Sequence, residues 1–305
     1  MPLFKVIVLA IVQGLAELLP VSSSAHVIVA EKLMGLDPSS PQMTLLLVML
    51  HTGTMFAVIV FFWKTWKQAY FSSQEAFNQF AVRVLWATAL TGIVGEAIKK
   101  LIEHTLFRGQ PKAEIEDLFS RLDLIAPALA AAGVLILIAG IYERRQLANI
   151  IPGRAIDRYL GLGTVTFGQS TWMGVVQGLA LPFRGFSRSG STISTGMLVG
   201  AAKERAERFS FAMAVVLTPV VVGIEALRLE KARRAAVTLG SPASMAIDLH
   251  TSIVSSLLGM VFAFLAGLVA LKWLSSWLES GRWYLFGIYC IVASAVVFYL
   301  HTRGF

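Results

Sequence analysis

The chain has 305 residues, 56% of them hydrophobic and 14% charged, whereas a soluble domain carries about a quarter charged residues. Together with a mean hydropathy of +0.71, this excludes an ordinary soluble domain and indicates an all-α, polytopic integral membrane protein. The net charge of +8 does not imply nucleic acid, because the basic residues lie in short loops between apolar spans, where anionic membrane lipid accounts for them.

Residues 4–19 are apolar, but they are interrupted by Gln13 and Glu17 and are shorter than the ~20 residues a crossing needs. The same interruption argues against reading Lys5 and the run after it as a cleaved leader. Pro20, three serines and a second apolar run to Met34 follow, then a loop with Gly35, Asp37, Pro38 and Pro41. Two half-length helices joined by a polar turn, over about 4–35, predict a re-entrant hairpin. Full crossings are predicted at 43–63, 82–99 and 122–142. Trp63, Lys64 and Trp66 read as an interfacial anchor ending the first, with a polar loop to about residue 80. Glu96 reads as a paired or snorkelling group, and 100–121 as a surface helix.

After a loop at 143–169, a second hairpin is predicted at about 170–202. Crossings follow at 208–227, with Pro219 as a kink, and at 249–272 and 283–301, with a basic loop holding Arg228, Lys231, Arg233 and Arg234. Cys290, the lone cysteine, reads as a packing residue. Each half, 1–142 and 143–305, is thus a hairpin followed by three crossings. Three is odd, so the second half enters from the opposite face as an inverted-topology repeat. Basic residues are near-equal on the two sides and do not set the orientation.

The hairpins share a phrase. VQGLAELLPVSSSAH at 12–26 returns as VQGLALPFRGFSRSGST at 176–192, which puts Ser23 opposite Ser187 and Ser24 opposite Arg188. Gln13 and Glu17, four apart, share a helical face. Ser22, Ser23 and Ser24 precede a helix, where free N–H groups favour an anion, phosphate above all. His26, three residues after Ser23, is a candidate base. The second tip offers Arg184 and Arg188, the small Gly185, and the hydroxyls of Ser187, Ser189, Ser191 and Thr192, a set suited to phosphate oxygens. Structural readings compete: Ser22 and Ser24 as caps, Ser189, Ser191 and Ser194 as packing residues, Arg184 as an interfacial ion pair, Gln13 as a bond to the other hairpin. His51 and His250 read as satisfied interior histidines.

These residues resemble a known family. QGLAE fits the (E/Q)xxxE motif, and RGFSRSGST most of the PGxSRSxxT motif, of the bacterial undecaprenyl-diphosphatases, the bacitracin-resistance type membrane phosphatases. The resemblance covers most of the chain. It implies a multi-pass enzyme of the bacterial cytoplasmic (inner) membrane, dimeric, that removes the terminal phosphate of undecaprenyl diphosphate and so recycles the carrier for peptidoglycan synthesis. It also implies a divalent cation, Mg²⁺ or Ca²⁺, held through Glu17. By position, Gln13 and Glu17 fill the first motif, Gly185, Ser187, Arg188, Ser189 and Thr192 the second, and Ser23 and His26 fall on the serine and histidine after the first. Catalysis is expected from Glu17, Ser23, His26 and Arg188; substrate binding from Gln13, Ser22, Ser24, Arg184, Gly185, Ser187, Ser189 and Thr192. In departure from the pattern, Arg184 replaces the usual proline, Gln13 the usual glutamate and Ala25 a common glycine. The competing reading is a polyprenyl-phosphate flippase or transporter, which needs an anion site but no nucleophile.

Overall fold

The computed structural model describes residues 2–38, 40–106, 121–148, 164–238, 249–278 and 281–305. All regular structure among them is helical: α1 (Leu3–Leu18), α2 (Ser23–Leu33), α3 (Pro41–Tyr70), α4 (Gln74–Leu106), α5 (Leu122–Ala148), α6 (Phe167–Ala180), α7 (Arg188–Leu198), α8 (Lys203–Thr238), α9 (Leu249–Leu278) and α10 (Trp283–Thr302). Six of these, α3, α4, α5, α8, α9 and α10, are long and apolar enough to cross a membrane, as the sequence predicts, and the protein is a multi-pass membrane protein. The outward faces are apolar as lipid requires: Val60, Leu85, Ile93, Val269 and Val292 are all more than half exposed.

The remaining four helices pair as α1–α2 and α6–α7, and each has fewer residues than a crossing needs. Each pair doubles back on itself. Lys5, near the start of α1, donates from Nζ to the carbonyl of Met34 just past α2, at 2.7 Å. Gln169 at the start of α6 does the same to the carbonyl of Val199 past α7, at 3.3 Å. Gln169 also completes a capping box with Thr166, which fixes where α6 begins. Both pairs therefore return to the end from which they start.

Small residues set the packing. A Cβ on Gly53 would lie 2.2 Å from the Met260 carbonyl, so α3 and α9 run in near-backbone contact. Gly14 likewise seats α1 on Ala263 and Ala266 of α9, and Gly174 seats α6 on Ala87 of α4. Gly133 and Gly287 interlock α5 with α10. In consequence the first helix of each hairpin packs chiefly on a helix from the other half of the chain.

Several predicted boundaries move. The polar loop before residue 80 shrinks to 71–73. Trp66 is no interfacial anchor: α3 runs on to Tyr70, and Trp66 is buried, stacked on Phe62. The basic segment after 227 is helical, since α8 continues through Pro219 to Thr238. The first residues of the predicted surface helix extend α4; 107–120 lie outside the described residues, as do 149–163 of the predicted loop and the side chain of His250. Glu96 pairs with Lys100 one turn on, at 3.7 Å, as its reading as a paired group expects, although α4 continues past it to Leu106. Cys290 is fully buried, its Sγ 3.6 Å from the Pro20 carbonyl.

Candidate active site at the hairpin tips

The two tips meet inside the helix bundle. Ser187 caps α7, its Oγ accepting from the Gly190 N–H at 3.1 Å. Gly190 in turn leaves only enough room for the Pro20 carbonyl of the first tip, which a Cβ would approach to 3.0 Å. The helix starts revise the alignment of the repeats. Ser22 and Ser187 both precede a helix, so Ser23 corresponds to Arg188. The second tip is one residue longer between its VQGLA phrase and its helix.

Glu17 is the hub. One carboxylate oxygen, Oε1, is in contact with the Arg188 guanidinium. The other accepts a short hydrogen bond from Ser23 Oγ and one from Gln13 Nε2 at 3.0 Å. His51 Nε2 lies 3.5 Å from the same oxygen, and its Nδ1 donates to the Leu47 carbonyl at 2.8 Å, which fixes the ring. A carboxylate in a membrane interior needs such partners. Only 9% of the Glu17 side chain is exposed, against 27% for Arg188.

This cluster floors a cavity of about 550 Å³, within the range of small-molecule sites. Its polar lining is Glu17, Ser22, Ser23, Ser24, His51 and Arg188, with Arg184, Ser187, Ser189, Thr44 and Thr218 further round. The rest of the wall is apolar, with Leu47, Val48, Phe183, Leu217, Val221 and Ile224 among it. A charged floor under a greasy wall suits a ligand with an anionic head and a hydrocarbon tail.

Four residues expected at the site do not line the cavity. Gln13 is fully buried behind Glu17 and supports it, and does not bond the other hairpin's backbone. Gly185, at φ +104°, is needed because a Cβ would fall 2.5 Å from the Ile125 carbonyl; its close approach is to α5, not to a ligand. Thr192 is fully buried, donating to the Arg188 carbonyl at 2.8 Å and touching Ser210 Oγ at 2.5 Å. His26 is turned away from Ser23: its Nδ1 donates to the Ser22 carbonyl at 2.8 Å and its Nε2 accepts from the Tyr289 hydroxyl at 2.7 Å. His51, read from the sequence as an interior histidine, stands instead at the carboxylate. Ser191 and Ser194 are packing residues, Ser194 accepting from Trp283 Nε1 at 3.0 Å.

The fold and the site together define a class: a multi-pass helical membrane protein with a hydroxyl–carboxylate–guanidinium cluster at the meeting point of two helical hairpins, open to an amphiphilic ligand. A family profile described as "Bacitracin resistance protein BacA" matches residues 6–296. The chain belongs to this family. It is 55% identical over 298 residues to Undecaprenyl-diphosphatase 2 of Acinetobacter baylyi, covering 97% of each chain. It is 32% identical to the Undecaprenyl-diphosphatase of Desulfatibacillum aliphaticivorans, covering 96% of each, and 30% identical to that of Halothermothrix orenii, covering 98% of each.

Proposed function

We infer that the protein is an undecaprenyl-diphosphate phosphatase, converting undecaprenyl diphosphate to undecaprenyl phosphate and inorganic phosphate. The observation that carries the chemistry is the Ser23 hydroxyl donating to a carboxylate, Glu17, that is itself paired with Arg188 on the floor of a half-apolar cavity. The diphosphate sits on that floor, with the prenyl chain along Leu217, Val221 and Ile224. Arg188, Arg184 and the free N–H groups at the starts of α2 and α7 bind phosphate oxygens.

Ser23 Oγ attacks the terminal phosphorus as its proton passes to Glu17, the group it already touches. The bond to the bridging oxygen breaks and undecaprenyl phosphate leaves. Water then cleaves the phosphoserine, returning the serine and releasing phosphate, with Glu17 and His51 handling its proton. His26 has no place in this transfer, because both its nitrogens are engaged elsewhere.

A divalent ion fits only as one shared with the substrate. Among the described residues no three His, Cys, Asp or Glu groups cluster to hold a metal, and Glu17 is the one carboxylate lining the cavity. Magnesium is commonly held by one or two carboxylates plus substrate phosphates. Glu17 would hold it, and when bound it would neutralise charge on the phosphate oxygens. The same reading extends to a bacterial cytoplasmic membrane, supported by the bacterial relatives, and to a homodimer, which light scattering of the protein–detergent complex tests.

The purified protein should release phosphate from undecaprenyl diphosphate, and Ser23→Ala should lower kcat by about 10³-fold or more. A Ser23→Ala loss of under tenfold would refute the serine nucleophile. Movement of intact lipid phosphate between leaflets without phosphate release would refute the enzyme.

A further inference from the structure

We propose that Tyr289 is a positioning residue, acting through His26 on the backbone turn that presents Ser23. The proposal rests on the phosphatase reading above. Ser22, immediately before Ser23, has φ 67° and ψ 89°, and is the one non-glycine residue with positive φ among the described residues. An L-residue stays in that region only where its surroundings hold it. Its own side chain does not do so, since it makes no capping bond and lies 3.4 Å from Ser24 Oγ.

The restraint is on its carbonyl. The backbone N–H of His26 reaches it at 3.4 Å, and the imidazole Nδ1 at 2.8 Å. A carbonyl only accepts, so Nδ1 carries the hydrogen and Nε2 must accept. Nε2 finds its donor in the Tyr289 hydroxyl at 2.7 Å. The two rings also stack, 5.7 Å between centroids and 11° between planes. A partner on one ring nitrogen decides what the other can do, so Tyr289 fixes the tautomer that holds Ser22.

Tyr289 lies on α10, one residue before Cys290, whose Sγ contacts the Pro20 carbonyl. One turn of α10 thus grips the first tip at two points, on either side of Val21 and Ser22. Tyr289 is 47% exposed on the outer face of the bundle, away from the cavity. It acts on the reaction only by fixing where Ser23 points, and His26 is the strut between them.

A strut needs a hydrogen-bond donor at the position of Nδ1, whereas a general base needs a titrating ring. His26→Asn supplies the first without the second. With purified full-length protein and undecaprenyl diphosphate, Tyr289→Phe should lower kcat about tenfold with KM changed less than about twofold. His26→Asn should stay within about tenfold of wild-type kcat, with its pH–rate profile unmoved, while His26→Ala loses about a hundredfold. The positioning role is overturned if His26→Asn is as inactive as His26→Ala, if it loses a limb of the profile, or if Tyr289→Phe keeps the wild-type kcat. A wild type that releases no phosphate overturns the phosphatase reading and this proposal with it.

Discussion

Neutralising one partner of the Glu17–Arg188 pair leaves the other charge without its counter-ion inside the bundle. Two unit charges about 4 Å apart attract by about 4 kcal/mol at an effective dielectric near 20. Breaking a fully buried pair costs about 3–5 kcal/mol. Glu17 is 9% exposed, but Arg188 is 27% exposed to the cavity, so screening reduces the figure to about 2–4 kcal/mol for Arg188→Gln. At about 2 °C per kcal/mol for a chain of this size, the melting temperature in detergent should fall by roughly 4–8 °C. Glu17→Gln/Arg188→Gln removes both charges and should recover part of that loss, giving a coupling energy of at least about 1 kcal/mol. Glu17→Gln, Arg188→Gln and the double variant should all lack phosphate release, which separates the stability of the pair from its chemistry. Melting shifts that add to within about 0.5 kcal/mol would refute a direct, partly desolvated contact.

His51→Ala should lower kcat by about 10–100-fold in steady-state phosphate release, because the imidazole beside Glu17 Oε2 is the remaining proton acceptor on the cavity floor; an unchanged kcat would remove it from the mechanism. Gly174→Leu should destabilise by about 1–3 kcal/mol or more, because a Cβ there meets the Ala87 carbonyl at 2.5 Å. Gly168→Ala, at the start of the same helix with nothing within 4 Å, should cause no fall in melting temperature.

The parts of the site legible in the sequence were those where a rare residue type sits in apolar surroundings. Glu17 and Arg188 are costly in lipid, so each announced a need for a partner, and the repeated phrase suggested that they meet. The half-length helices were legible because Gln13, Glu17 and the serines cut an apolar run below crossing length. His51 was not legible: a single histidine in an apolar span carries no mark of which neighbour its face meets, and that depends on how α3 packs beside α1. His26 misled for a related reason. Residues three apart on a helix are neighbours, but each side chain follows its own partner: the Ser23 hydroxyl turns to Glu17, while the His26 ring reaches back to the Ser22 carbonyl and out to Tyr289 of α10. The ends of α3, α4 and α8 were misplaced because polar helix extends beyond the apolar span, where hydropathy no longer reports it.

The crossed seating of the hairpins has a consequence for origin. The segment bearing Glu17 rests mainly on a helix of the C-terminal half, and the segment leading to Arg188 on a helix of the N-terminal half. Half the chain alone would expose the glycine-rich face of its own hairpin and hold only part of the charge constellation. A half-length ancestor would have needed a second molecule before it could do any chemistry. Joining two such halves into one polypeptide turned an encounter between molecules into a certainty of folding.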